Sequence, residues 1–63
     1  MVKRNYARIV KRIREARKIT QKELAEFMCV SENIVSYWER GTRYPSLKNQ
    51  RVIDKLFDET KTK

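Results

Sequence analysis

Residues 20–41 read TQKELAEFMCVSENIVSYWERG, and this stretch decides how the rest of the chain is organised. Thr20 offers a short side-chain oxygen to a backbone N–H at a helix start. Glu23, three residues on, can reach back, which is capping-box spacing. Leu24, Ala25 and Met28 then recur at helical spacing and supply one apolar face. A second start signal follows at Ser31, ahead of Ile34, Val35 and Trp38 on one side and Glu32, Asn33, Ser36 and Tyr37 largely on the other. Only Cys29 and Val30 separate Met28 from that cap. So short a link between two apolar faces predicts a pair of helices packed at a steep angle.

Working outward, residues 1–18 carry eight basic side chains and one acid, Glu15. Tyr6, Ile9, Val10 and Ile13, followed by Ala16 or Arg17, mark one helical stripe. Its apolar side is needed to cover the next two helices. Most of the basic residues then form a solvated face, and some of Lys3, Arg4, Arg8, Lys11 and Arg12 are candidates for phosphates or an acidic membrane surface. On the other flank, RGTRYPS (residues 40–46) reads as a loop: Gly41 suits a helix end and Pro45 biases Tyr44 toward extended geometry. Ser46 can cap a fourth helix carrying Leu47, Val52, Ile53, Leu56 and Phe57. The expected fold is all-α, a compact four-helix domain over residues 1–57 with helices at about 4–17, 21–28, 32–39 and 46–57. Residues 58–63 are polar and charged and are expected to fray as a flexible tail.

Sixty-three residues hold one small core and no second domain. The net charge of +8 favours a polyanionic partner, nucleic acid before an anionic membrane surface. No apolar run has the length of a membrane span or the form of a signal peptide, so a cytoplasmic protein working at the bacterial nucleoid is expected. With no His and a single Cys29, neither a zinc site nor an internal disulfide can form, and no cofactor is expected. The same absence of His, of a nucleophile–base pair and of a glycine-rich phosphate loop argues against an enzyme.

The ordered run Thr20-Gln21-x-x-Leu24-Ala25, Val30-Ser31, Val35-Ser36-x-Trp38-Glu39-x-Gly41 and Pro45-Ser46 resembles the helix-turn-helix of the Cro/cI-type (XRE-family) DNA-binding domain of phage and bacterial repressors. The resemblance covers about Val10 to Phe57 and implies a lambda-repressor-like fold with double-stranded DNA as partner. It also implies an ion pair between Arg14 and Glu39, joining the first helix to the end of the third. The positions matching Glu32, Asn33 and Tyr37 are the family's usual base readers. The position matching Gln21 is its phosphate clamp at a helix N-terminus.

Residue chemistry leads to similar candidates. Asn33 can bond adenine through its amide, Glu32 can accept from a cytosine amino group, Ser36 reads either way, and Tyr37 suits a thymine methyl or a phosphate. Arg40, Thr42, Arg43 and Tyr44 follow the recognition helix and are expected on the phosphate backbone. Glu32 and Arg43 also fit plain solvated positions, and Ser46 fits a cap better than a ligand. The fifth helix with which many relatives complete a dimer is missing from the sequence, so a weak or DNA-induced homodimer is expected. The function expected is sequence-specific DNA binding, most simply as a phage or mobile-element repressor. The competing reading is a protein-interaction module on the same fold, such as an antitoxin or anti-repressor partner.

Four residues depart from the family pattern. Lys18 and Cys29 stand where it has Gly at turns, so either they take a left-handed conformation or the turns differ. Phe27 replaces a polar residue and either packs on the first helix near Tyr6, the favoured reading, or is left exposed as a protein contact. Gln50 replaces an aliphatic residue, which implies a less firmly seated fourth helix.

Overall fold

The computed structural model describes residues 4–61. Among them are four helices, α1 (Tyr6–Arg17), α2 (Gln21–Met28), α3 (Glu32–Arg40) and α4 (Leu47–Lys61). The local start signals act as the sequence implies. At Thr20 both halves of the capping box are present: the Glu23 N–H donates to Thr20 Oγ1 at 3.0 Å and the Thr20 N–H donates to Glu23 Oε1 at 2.8 Å. Ser31 Oγ accepts from the Ile34 N–H and Ser46 Oγ from the Asn49 N–H. The first helix begins two residues later than expected because Asn5 caps it, its side chain accepting from the Arg8 N–H at 3.2 Å.

The ends of α1, α2 and α3 share one geometry. Each closes with a residue in the left-handed region: Lys18 (φ 57°), Cys29 (φ 61°) and Gly41 (φ 76°). The N–H groups of Lys18 and Ile19 donate to the carbonyls of Glu15 and Arg14, those of Cys29 and Val30 to Glu26 and Ala25, and those of Gly41 and Thr42 to Trp38 and Tyr37. This is the Schellman pairing, which satisfies carbonyls the helix cannot. Lys18 and Cys29 therefore keep the turns that glycine usually makes and carry the strain of doing so.

All four helices feed one core: Tyr6, Val10 and Ile13 from α1, Leu24 and Ala25 from α2, Val35 and Trp38 from α3, Ile53 and Leu56 from α4. The chief helix pairings are α2 with α3, α1 with α3, and α1 with α4. The α1 stripe stops at Ile13, since Ala16 and Arg17 are exposed. Leu47, at the first turn of α4, is exposed too. Val52 and Phe57 are half-buried against the core.

Two expectations change, and a third residue finds its partner. The fourth helix continues past Phe57 to Lys61, held by an ion pair from Arg17 to Glu59 at 3.1 Å. Residues 62–63 of the expected tail lie outside the described residues. Gln50 is half-buried and turned to the loop before α4, its amide donating to the Pro45 carbonyl at 2.9 Å. Phe27 does not pack near Tyr6. It is 64% exposed, on the rim of a groove with Ile19, Leu24 and Leu56. The reason is phase: Leu24 and Ala25 take the buried face of α2, and Tyr6 is enclosed elsewhere. Its hydroxyl donates to Asp54 at 3.0 Å and its ring meets Tyr44 edge-on, with centroids 5.3 Å apart. Burial first, then the hydrogen bond to and the charge of Asp54, push the Tyr6 phenol above its ordinary value.

Candidate nucleic-acid interface

The exposed side of α3 begins with Glu32 and Asn33, both open to solvent, and continues through half-buried Ser36 and Tyr37 to exposed Arg40. Helical spacing makes this row unavoidable once Val35 and Trp38 are committed to the core. The face therefore sits on a helix anchored in the core, and its side chains are all polar, with Glu32 anionic and Arg40 cationic.

What fixes α3 is the far end of that helix. Arg14 of α1 makes a two-pronged contact with Glu39, its Nε donating to Oε2 and its Nη2 to Oε1 at 2.9 Å. A third guanidinium hydrogen bond runs from Nη1 to the Ile19 carbonyl at 3.2 Å. The same Glu39 Oε1 accepts from the Gln21 amide at 3.2 Å. The ion pair expected between α1 and α3 is thus present, and it includes the residue expected at a phosphate. Gln21 leads α2, so one carboxylate ties three helices together. Burial alone would raise the Glu39 pKa. Hydrogen bonds from Arg14 and Gln21, with the charges of Arg14 and Lys11, reverse that and hold the carboxyl below its ordinary value.

At the N-terminus of α2 the capping box occupies the Glu23 N–H, and the N–H groups of Gln21 and Lys22 have no intrahelical acceptor. Such a terminus suits an anion. The Gln21 amide keeps its second N–H beyond the one given to Glu39.

Past α3 the chain folds back on Tyr37. The Tyr37 carbonyl accepts from the N–H groups of Thr42 and Arg43 at 3.0 and 3.4 Å, and from Thr42 Oγ1 at 3.2 Å. The guanidiniums of Arg40 and Arg43 lie 5.4 and 5.5 Å from the centroid of the Tyr37 ring. The sequence groups Arg40, Thr42 and Arg43 as one cluster after α3; the structure adds Tyr37 to them. Tyr44 goes the other way. Its hydroxyl donates to the Arg4 carbonyl at 3.3 Å and its ring meets Tyr6. Arg4 itself is paired with Asp54 at 3.2 Å. On α1, Arg8, Lys11 and Arg12 are exposed, and Lys3 lies outside the described residues.

A family model described as "Helix-turn-helix" matches residues 10–61. The chain belongs to the helix-turn-helix family. Its type is the XRE one, a class of DNA-binding transcription regulators. A curated relative of this helix-turn-helix domain is the HTH-type transcriptional activator BcrR of Enterococcus faecalis, 35% identical over 51 residues that make up 81% of this chain and 25% of that protein. The chain therefore spans a quarter of that relative's length. No solved structure matches it. Among the described residues, no helix is long and apolar enough to cross a membrane.

Proposed function

We propose that this helix-turn-helix domain binds double-stranded DNA sequence-specifically, laying α3 in the major groove with Glu32, Asn33 and Ser36 toward base edges. The observation that carries the reading is the polar row of α3, flanked at one end by the α2 N-terminus with Gln21 and at the other by Arg40, Thr42 and Arg43. In this arrangement base edges meet the first half of the helix and phosphates meet its flanks. Asn33 supplies a bidentate match for adenine, and Glu32 accepts from cytosine. Tyr44, its hydroxyl given to Arg4 and its ring against Tyr6, lies at the margin of this proposed phosphate set.

Regulation follows from occupancy. A domain of the Cro/cI pattern placed across a promoter blocks it, which makes a phage or mobile-element type repressor the simplest form. The relative BcrR is named an activator, which makes activation the competing sign.

The test is selection of bound sites from a random duplex pool, with affinity measured against salt. If each protomer neutralises about four phosphates, the log–log slope is roughly −3.6. Arg43→Ala flattens that slope by about one and weakens all sequences alike. A pool with no enriched site, or a slope unmoved by Arg43→Ala, refutes the reading.

A second reading, a protein-docking module on the same fold, is favoured by exposed Phe27 on the groove formed by Ile19, Leu24 and Leu56. Site selection separates the two: a docking module enriches no duplex, whereas on the DNA reading Phe27→Ser leaves the selected site and affinity intact.

A further inference from the structure

We infer that Tyr44 is a positioning residue for DNA binding: it braces the loop that carries Arg43 against the start of α1, so that Arg43 meets a phosphodiester from a backbone already fixed. The inference rests on the DNA-binding reading and gives Tyr44 a task within it other than touching the phosphate itself.

The loop is fastened on both sides of Arg43. Before it, the Tyr37 carbonyl accepts from the N–H groups of Thr42 and Arg43 at 3.0 and 3.4 Å. After it, Tyr44 turns to the body of the domain. Its hydroxyl donates to the Arg4 carbonyl at 3.3 Å, and its ring meets that of buried Tyr6 edge-on, with 5.3 Å between centroids and 77° between planes. What Tyr44 leans on is itself held. The Tyr6 hydroxyl donates to both carboxylate oxygens of Asp54, at 3.0 and 3.2 Å, and the Arg4 guanidinium pairs with the same carboxylate at 3.2 Å. Asp54 belongs to α4, so the start of α1, the loop and α4 close into one circuit through Tyr44, Arg4, Asp54 and Tyr6. One residue further on, Pro45 is buried and its carbonyl accepts from Gln50 at 2.9 Å. The Arg43 side chain, by contrast, is exposed, and the three ion pairs among the described residues use Arg4, Arg14 and Arg17. A cation without a carboxylate partner, on a loop pinned before and after it, suits an anion arriving from solvent. A phosphodiester is one that a guanidinium fork matches. A pinned loop has less backbone freedom to lose on binding, and the brace acts through that difference. Tyr44 has one hydroxyl proton and gives it to Arg4, whereas a phosphodiester only accepts, so the brace and a direct hydrogen bond to the backbone exclude each other.

The test is a double-mutant cycle in duplex affinity over Arg43→Ala, Tyr44→Leu and the pair, with Tyr44→Phe alongside. Tyr44 is 43% exposed, so truncating it spares the core, and thermal melts confirm that each variant is folded. Tyr44→Leu is expected to weaken binding about tenfold, the cost of ordering roughly one loop residue on binding. Tyr44→Phe keeps the ring contact and stays within about threefold of wild type. In the Arg43→Ala background, Tyr44→Leu changes affinity by no more than about twofold. Additive losses overturn the inference, since a residue that touches DNA itself, or only stabilises the fold, loses the same factor with or without Arg43. Tyr44→Phe falling as far as Tyr44→Leu overturns it too, because the ring would then contribute nothing.

A separate arm needs no DNA. In the free protein the amides of Thr42 and Arg43, both bonded to the Tyr37 carbonyl, are expected to exchange faster in Tyr44→Leu than in wild type or Tyr44→Phe, while those of buried Val10 and Ile53 keep their rates. Faster exchange confined to the loop supports the brace even if no duplex is bound, in which case only the DNA reading fails. Unchanged loop exchange overturns the brace.

Discussion

Replacing Arg14 by Ala strands a carboxylate. The Glu39 side chain is only 9% exposed, and without the guanidinium its remaining partner is the Gln21 amide at 3.2 Å. Breaking one side of a buried pair costs about 3–5 kcal/mol, because the charge left behind cannot recover its hydration. The 21% exposure of Arg14 shows that water stands close by, which places the expected loss at the lower end, about 3 kcal/mol. For a domain of this size that lowers Tm by about 12–24 °C. Glu39→Ala costs less, about 1–2 kcal/mol, since the freed guanidinium still donates to the Ile19 carbonyl and reaches solvent. The double variant removes both charges and loses less than the sum of the two, with a coupling of about 1–3 kcal/mol.

Urea melts of the four proteins at neutral pH measure this, and repeating them in acid with Glu39→Gln checks the electrostatic part. The folded-state pKa of Glu39 lies below the ordinary 4.5, so its stabilisation is present above that value and is lost as pH falls through the folded one. The gap between wild type and Glu39→Gln should therefore close in acid. Additivity within about 0.5 kcal/mol, or a gap that ignores pH, would refute the argument.

Lys18→Gly and Cys29→Gly should each raise stability by about 1 kcal/mol in thermal melts, since both residues are exposed and hold a positive φ that glycine adopts without strain. Tyr6→Phe should cost about 1.5 kcal/mol at neutral pH, the value of a hydrogen bond to a charged group. The raised Tyr6 pKa makes its stabilisation complete below 10.0 and lost as pH climbs through the folded value, so the variant should show a shallower alkaline decline. Sedimentation equilibrium at micromolar concentration should find a monomer, because Leu56 is buried and Val52 and Phe57 pack on the core, leaving Leu47 as the exposed large hydrophobic of α4 among the described residues. A tight dimer without DNA would point to Phe27 instead.

The features legible in the sequence were those settled within a few residues. Thr20 with Glu23, Ser31 and Ser46 announce helix starts because a cap and its N–H lie three positions apart. Asn5 carries the same signal, three positions ahead of the Arg8 N–H, although the helix is expected from about residue 4. The αL turns at Lys18 and Cys29 could be posed as a choice but not decided, since only the Schellman hydrogen bonds select between the two geometries. Contacts between distant residues left no local trace: Tyr6 meets Asp54 across 48 positions, and nothing in either neighbourhood names the other. Of the candidate interface, the α3 row followed from helical phase, and the pairing of Arg14 with Glu39 from family likeness. The link from Gln21 to that pair, and the contacts of Arg40 and Arg43 with the Tyr37 ring, depend on how helices and loop fold back in space.

The order of helix pairing has a consequence for how the domain opens. α4 leans chiefly on α1, whereas α2 and α3 lean on each other and α3 also on α1. In native-state hydrogen exchange the amides of α4 should then open as a unit of their own, at a lower free energy than those of α2 and α3. Such an opening releases Asp54 from Tyr6 and Arg4 but leaves Arg14, Glu39 and Gln21 joined. The third helix would keep its protection while the fourth is transiently detached, so breathing of α4 need not disturb the exposed row of α3.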